Sequence, residues 1–298
     1  MAASFEGVGA ATPVYNFDSI GSSLEFHFSE DEQSPFSSCL DAIAPCEGKD
    51  GPTYQLCLVS NEAEHVKTIQ KLNTLPVTGR VCIGVSCFFT LDAVAAKASL
   101  LKKKGGTIDH ILIIDCSLKV EHFWQKMQQI VLESGDRHVA LQAVKDLLMK
   151  EKERYYGNIL KRNPERTAKR FLQILKQEVR EDQISWLSTD RRFKKIKAIF
   201  EGGRFLFKRA NLKDTEAMKA IAEVLKEREL KVDMLYLSNV FHWLSGPEER
   251  ERFHHNVSLL MEPETTVIDA RRVHHLSTKP GTQRLMNGID YISENRIS

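Results

Sequence analysis

The 298-residue chain has no apolar run approaching the roughly 20 residues that a membrane-spanning helix needs, so no membrane partner is expected. Its opening, Met1-Ala-Ala-Ser-Phe-Glu, has neither the basic nor the apolar stretch of a secretory signal. Net charge is nearly absent at +2, which leaves the chain as a whole no electrostatic preference for any class of partner. Six cysteines (Cys39, Cys46, Cys57, Cys82, Cys87 and Cys116) show no ordered pairing. Free thiols in a reducing, cytoplasmic compartment are expected, or export by a route without an N-terminal mark. No P-loop, nucleophile elbow or His-Glu-x-x-His motif occurs. His254-His255 and His274-His275 are adjacent pairs whose rings point apart, and no Cys or carboxylate spacing completes a zinc set. No metal is expected. Cys87 has no local histidine to activate it as a nucleophile.

What is present is ordinary for a folded protein. Hydrophobic residues make up 42% and charged residues 28%, which argues against global disorder. Residues 1–52 are rich in Ser, Gly, Pro and acids and read as an N-terminal extension or lid, with a short strand at 23–28. A strand is expected at 54–60 and a helix at 62–72. The Arg80-Val-Cys-Ile-Gly-Val-Ser86 run is β-rich, and Leu91, Val94, Ala95, Ala98 and Leu101 follow at helical spacing. Lys102-Lys-Lys-Gly-Gly106 closes that helix, with cations at its negative end and glycine just past it. His110-Ile-Leu-Ile-Ile-Asp-Cys116 is apolar without alternation, as in a strand covered on both faces, and a helix is expected from 120 to 133.

From 137 to 200 the strand–helix alternation stops. Helix-like stretches at 139–160, 165–179 and 184–200 read as a basic insertion, a cap beside a site. From 139 to 213 there are 20 Lys+Arg against 9 Asp+Glu, so nucleic acid or an acidic partner is a candidate there, against a simpler solvated surface. The rhythm returns at 204–208, with Asp214 as N-cap of a helix to 229. Lys231-Val-Asp-Met-Leu-Tyr-Leu-Ser-Asn-Val-Phe-His-Trp-Leu244 then runs from strand into turn. Ser245-Gly-Pro-Glu248 reads as a capping box. Strands are expected at 265–270 and, at the edge, 287–293.

Short strands at 81–86, 111–116, 204–208, 233–238 and 265–270, separated by amphipathic helices, imply an α/β fold with a doubly wound, mostly parallel sheet. The expected division is 1–52, 53–136, 137–200 (the insertion) and 201–298. Ligands of such sheets gather at the strand carboxyl ends, which places Ser86, Asp115, Asn211, Asp214, Ser238, Asn239 and Asp269 at one edge. Asp115 either accepts ribose hydroxyls there or caps the next helix.

From about 80 to 272 the order of elements resembles that of the class I S-adenosylmethionine-dependent methyltransferases. The residues from Val232 to Leu244 are similar to the fourth-strand motif of small-molecule members such as the trans-aconitate and malonyl-carrier-protein enzymes. Ile111-Leu-Ile-Ile-Asp115 resembles the second strand with its ribose-binding acid, and Asn211-Leu-Lys-Asp214 sits where the family has a polar residue near the adenine amine. The resemblance implies S-adenosylmethionine as cofactor, lined by Gly84, Ser86, Asp115, Asn211, Asp214 and Ser238. Asn239, His242 and Trp243 would face the acceptor, a small molecule or a macromolecule such as a protein, with His242 as base. The sulfonium already activates the methyl, so alignment carries most of the catalysis.

The family's first strand opens into a glycine-rich turn, but Ile83-Gly-Val-Ser-Cys-Phe-Phe89 offers Gly84 and then two phenylalanines that would obstruct the methionine pocket. Two alternatives therefore stand beside the methyltransferase. One is a non-catalytic module binding a protein or nucleic acid through its basic helices. The other is an enzyme that transfers an aminopropyl or aminobutyryl group from the same cofactor.

Overall fold

The structure, a computed structural model, describes residues 35–50, 56–60, 62–86, 88–97, 107–157, 163–271 and 282–295. Two helices, α1 (Pro35–Asp41) and α2 (His65–Leu72), precede the alternating part. Then come β1 (Val81–Gly84), α3 (Phe89–Lys97), β2 (His110–Asp115) and α4 (Leu118–Glu133). Among the described residues four helices follow without a strand: α5 (Arg137–Lys150), α6 (Lys152–Tyr156), α7 (Pro164–Arg180) and α8 (Asp190–Glu201). The alternation resumes with β3 (Phe205–Arg209), α9 (Thr215–Glu227), β4 (Val232–Ser238), a 3-10 turn (Val240–Trp243) and α10 (Pro247–Ser258). It closes with β5 (Thr266–Arg271), β6 (Thr282–Asn287) and α11 (Gly288–Asn295).

The strands form one sheet in the order β3-β2-β1-β4-β5-β6, parallel throughout except for β6, which runs antiparallel to β5. The doubly wound, mostly parallel α/β sheet expected from the sequence is thus the observed fold. The order reverses between β1 and β4, where such sheets have their switch point. Strand β2 is buried from His110 to Ile114, as its unbroken apolar run requires when helices cover both faces.

Several local expectations are corrected. Residues 56–60 form no strand; they are apolar because they lie against the strand tips, as described below. The edge strand is β6 at Thr282–Asn287, and the 287–293 stretch expected to supply it is mostly helix α11. Its apolar residues, among them the buried Tyr291, serve one helical face. The 139–160 helix is interrupted at Glu151. At the start of α10 the backward-reaching carboxylate is Glu249, accepting the Ser245 amide at 2.7 Å, while Gly246 occupies the N-cap. Asp214 does cap α9, accepting the amides of Glu216 and Ala217. The readings at 23–28, at 102–106, at Cys87 and at His274-His275 lie outside the described residues.

At the amino ends of the strands a charged pair is wholly enclosed. Lys97, ending α3, donates to Asp233 of β4 at 2.7 Å, and both side chains have zero exposure. Thr266 accepts a second bond from Lys97, and the other Asp233 oxygen accepts the amides of Thr78 and Gly79. Both Asp233 oxygens and two of the three Lys97 N–H groups are therefore matched, the condition under which a buried charge is tolerated.

Candidate functional site

The ligand edge of this fold is the row of strand carboxyl ends, and a stretch of the chain's own N-terminal part crosses it. At the tip of β3, Cys46 donates its amide to the Arg209 carbonyl; at β2, Lys49 bonds with Cys116 and Leu118. Beyond β1, the Ser86 hydroxyl donates to the Cys57 carbonyl and the Phe88 amide to Leu58. Past β4, Ala63 accepts the Gln283 amide of β6. The described parts of 46–63 thus form a strap that touches the tips or following loops of β3, β2 and β1 and then β6. Leu56, Leu58 and Val59 are its buried anchors.

Glu62 is the strap's buried carboxylate, with 3% exposure. It accepts from Ser238 at 2.5 Å, from Gln283 at 2.7 Å, and from Ser60 and Tyr236 at 3.3 Å. Burial raises its pKa above the usual carboxylate range, against the pull of the Ser238, Gln283, Ser60 and Tyr236 bonds. Ser238, at the end of β4, holds φ 50°, and Ser86, beyond the end of β1, holds φ 64°. Left-handed backbone on a non-glycine residue costs of order 1–3 kcal/mol. Here it persists because side-chain and backbone bonds fix both residues.

Asp115 stands at the tip of β2 with each oxygen engaged. Oδ2 accepts the Ser86 amide at 3.1 Å and Oδ1 accepts the Ser117 amide at 2.9 Å. Ser117 is in turn the N-cap of α4. Burial raises the Asp115 pKa to about 6, while the Ser117, Ser86 and Cys116 amides pull it down. The carboxylate therefore ties the β1 loop to the start of α4, close to the capping role weighed for it above.

The β1 loop turns inward. Phe88 is fully buried, with its ring centroid 5.5 Å from Trp186, 5.7 Å from Phe123 and 6.3 Å from Trp124. Phe89 packs tilted against Tyr236 of β4, with ring centroids 4.4 Å apart, and the Trp124 indole donates to the Ser86 carbonyl at 2.7 Å. A Cβ on Gly84 would lie 2.0 Å from Oγ1 of Thr90. Thr90, in the first turn of α3, thus fills the space that a side chain at 84 would need.

Asn211 and Asp214 follow β3. Asn211 accepts the Lys213 amide, and with Lys213, Asp214 and the strap's Cys46, Glu47 and Lys49 it lines a cavity of about 320 Å³. The 3-10 turn after β4 carries Asn239, His242 and Trp243. Trp243 is 57% exposed and donates to the Asn239 side chain at 3.2 Å. Phe241 packs beside Arg250 and His254 of α10, while His242 is half-buried against Phe241.

Gly84, Ser86, Asp115 and Ser238 thus lie on the three central strands and their ends, Asn211 and Asp214 in a separate recess, and the Asn239–Trp243 residues on a turn beside α10. Asp269 of β5 is occupied by Arg284 in a paired bond at 3.1 and 2.9 Å. Glu62 was missed by the sequence reading. Its signal was the polar Ser60-Asn-Glu62 step after an apolar run, which looked like an ordinary helix start. Among the described residues no three His, Cys, Asp or Glu side chains gather as a metal ion would need, and no helix is long and apolar enough to cross a membrane.

A family model described as a domain of unknown function, DUF7790, matches residues 58–293. None of the curated proteins matches the chain. Among solved structures, the rRNA methyltransferase aviRa from Streptomyces viridochromogenes aligns with a TM-score of 0.40 at 13% identity, covering 87% of this chain and 96% of that one. With its matched span running from the strap through the whole sheet to α11, the chain belongs to the DUF7790 family.

Proposed function

We propose that this chain uses a methyltransferase-like scaffold as a binding module, with the cofactor crevice of that scaffold filled by its own side chains. The observation that carries this is the inward turn of the β1 loop, with Phe88 enclosed by Phe123, Trp124 and Trp186. Removing the strap alone would leave that ring in place. The other contacts at the strand ends point the same way. Thr90 occupies the approach to Gly84, both Asp115 oxygens hold backbone amides, and the Ser238 hydroxyl is given to Glu62. Side chains engaged in this way do not fit S-adenosylmethionine. The partner would then be met by the helices between α4 and β3. Free thiols at Cys39, Cys46, Cys82 and Cys116 support a reducing, cytoplasmic setting.

Calorimetric titration of the wild type with S-adenosylmethionine and with S-adenosylhomocysteine tests this directly. No heat is expected with either ligand. Binding that disappears in Asp115→Ala would replace the module reading with an enzyme.

One observation favours the transferase reading instead, namely the recess of about 320 Å³ where Asn211 and Asp214 face the strap. On that reading S-adenosylmethionine serves methyl, aminopropyl or aminobutyryl transfer to a small-molecule or protein acceptor, with His242 as base. Its mark would be cofactor binding abolished by Asn211→Ala and Asp214→Ala together.

A further inference from the structure

Helix α7 divides cleanly around its axis. Ala168, Phe171, Leu175, Glu178 and Val179 are buried, and Glu178 forms an ion pair there with His65 of α2 at 3.1 Å. On the opposite side Arg166, Lys169, Arg170, Lys176 and Arg180 are exposed. At 3.6 residues per turn these five cations fall within an arc of about 120° and extend over about 21 Å. The intervening exposed positions are Gln173 and Gln177. Acids flank the stripe at its ends. Glu165 pairs with Lys169, and Glu181 and Asp182 follow the helix. Among the described residues no ion pair engages Arg166, Arg170, Lys176 or Arg180.

The exposed faces of α9 and α10 differ. On α9, Lys219 pairs with Glu216 and the surface alternates in sign through Glu223, Lys226 and Glu227. The first turns of α10 interleave Glu248, Glu249 and Glu251 with Arg250 and Arg252. A solvated surface of the ordinary kind carries both signs. The α7 face carries essentially one.

Past Arg180 the stripe meets a cavity of about 420 Å³ between the start of α5, the end of α7 and the start of α8. Arg137, His138, Ser188 and Thr189 line it with Arg180. Arg137 is held by Asp190 and the Leu187 carbonyl, so Arg180 is the cation open to a ligand there.

We propose that the exposed face of α7 binds the phosphodiester backbone of nucleic acid, by charge and without reading bases. The chemistry selects this partner over an acidic protein. A stable protein interface needs an apolar or aromatic centre, and among the described residues the exposed large hydrophobic ones (Leu118, Trp243 and Ile289) lie outside α7. A stripe of guanidinium and ammonium groups some 20 Å long instead matches a regularly spaced line of phosphates, at one charge per about 3.4 Å of duplex axis on each strand. The buried apolar side of α7 is committed to α5 and α6, so no apolar surface remains to enter a bilayer. The inference rests on the binding-module reading only in placing the partner on these helices.

The test is fluorescence anisotropy of the full chain with a labelled 20-nucleotide single-stranded RNA and a 20-base-pair DNA duplex over a salt series. With five phosphate contacts, affinity for the single strand should fall about a hundredfold between 50 and 200 mM salt. The variant Arg170→Glu/Lys176→Glu/Arg180→Glu should bind at least tenfold more weakly, with the log–log salt slope reduced by about two. Lys226→Glu, on the mixed surface of α9, should bind as wild type. If the triple variant does not fold, Arg170→Gln and Lys176→Gln should each lower the slope by about 0.7. The proposal is overturned by no binding of either nucleic acid at 50 mM salt, or by a slope that these substitutions leave unchanged. It is equally overturned if polyglutamate or phosphatidylserine vesicles bind as tightly as RNA and DNA. The cofactor titration reads the module reading independently, so heat with S-adenosylmethionine would remove that reading while leaving this result to stand or fall alone.

Discussion

Ser238, the last residue of β4, gives its hydroxyl hydrogen to Glu62, a residue 176 positions earlier in the chain. The bond brings the strap's carboxylate to the end of a central strand, where this architecture elsewhere receives ligands. Much of what can be tested about the molecule follows from that occupancy.

At position 62 the strap separates charge from hydrogen bonding. Glu62→Ala leaves Ser238 without its acceptor inside the protein and Gln283 with Ser60 alone, and should cost about 1–3 kcal/mol. Glu62→Gln keeps an acceptor for Gln283, and the rotatable Ser238 hydroxyl can accept from the new amide. It should lie within about 1 kcal/mol of wild type at pH 7, because it also removes a buried charge. Urea denaturation of the two variants reads the difference.

Asp115 predicts a pH dependence. Its pKa is raised from 3.8 to about 6 in the folded protein, so the folded state binds this proton more tightly than the unfolded one. Its stabilising contribution is full below pH 4 and is lost as pH rises through about 6. Asp115→Asn cannot titrate. The stability difference between wild type and this variant should therefore shift against wild type between pH 4 and pH 6. A difference that is flat across that interval would contradict the environment described here.

Gly84 gives a double-mutant test of why that glycine is needed. Gly84→Ala drives a methyl into Thr90 and should destabilise by about 1–3 kcal/mol. Thr90→Ala removes both the Oγ1 and the Cγ2 that the methyl would strike. The double variant should recover a substantial part of the loss, giving a coupling energy above about 0.5 kcal/mol in thermal or urea unfolding. Additive effects would mean that Gly84 is required for something other than this packing.

Lys97→Met should be among the most damaging single changes in the sheet. It leaves Asp233 as a fully buried carboxylate facing the Thr78 and Gly79 amides without its cation. The expected loss is about 3–5 kcal/mol, seen as a lower urea midpoint with an unchanged slope. Replacing both partners, Lys97→Met/Asp233→Leu, should be less harmful than the sum of the two single changes.

The parallel strands were legible because burial on both faces demands unbroken β-favouring runs, as in His110-Ile-Leu-Ile-Ile-Asp115 and Phe205-Leu-Phe207. The Asp214 cap was legible because capping is local. The strap was not. An apolar segment such as Leu56-Cys-Leu-Val59 has the same composition whether it pairs in a sheet or seals the end of one. Its partners (Ser86, Phe88, Gln283) lie far away in sequence, and periodicity carries no sign of them. For the same reason the 287–293 stretch, with Ile289, Tyr291 and Ile292 close together, could be read as strand or helix until its neighbours were known. The resemblance located the strand tips but not how they are filled, since Asp115 meeting a sugar and Asp115 meeting two amides leave the same residue in the sequence.

The strap also orders events during synthesis. Residues 46–63 leave the ribosome well before Arg209, Ser238 and Gln283 are made. Glu62 and Gln283 are separated by 221 positions, an interval of roughly 11–44 s at ordinary elongation rates. Over that period the strap can meet its β1 and β2 contacts at Ser86, Phe88, Cys116 and Leu118, while Glu62 still lacks Gln283. The seating of Glu62 is therefore a late step of long loop closure, leaving that end of the strap accessible to chaperones and proteases until β6 is in place.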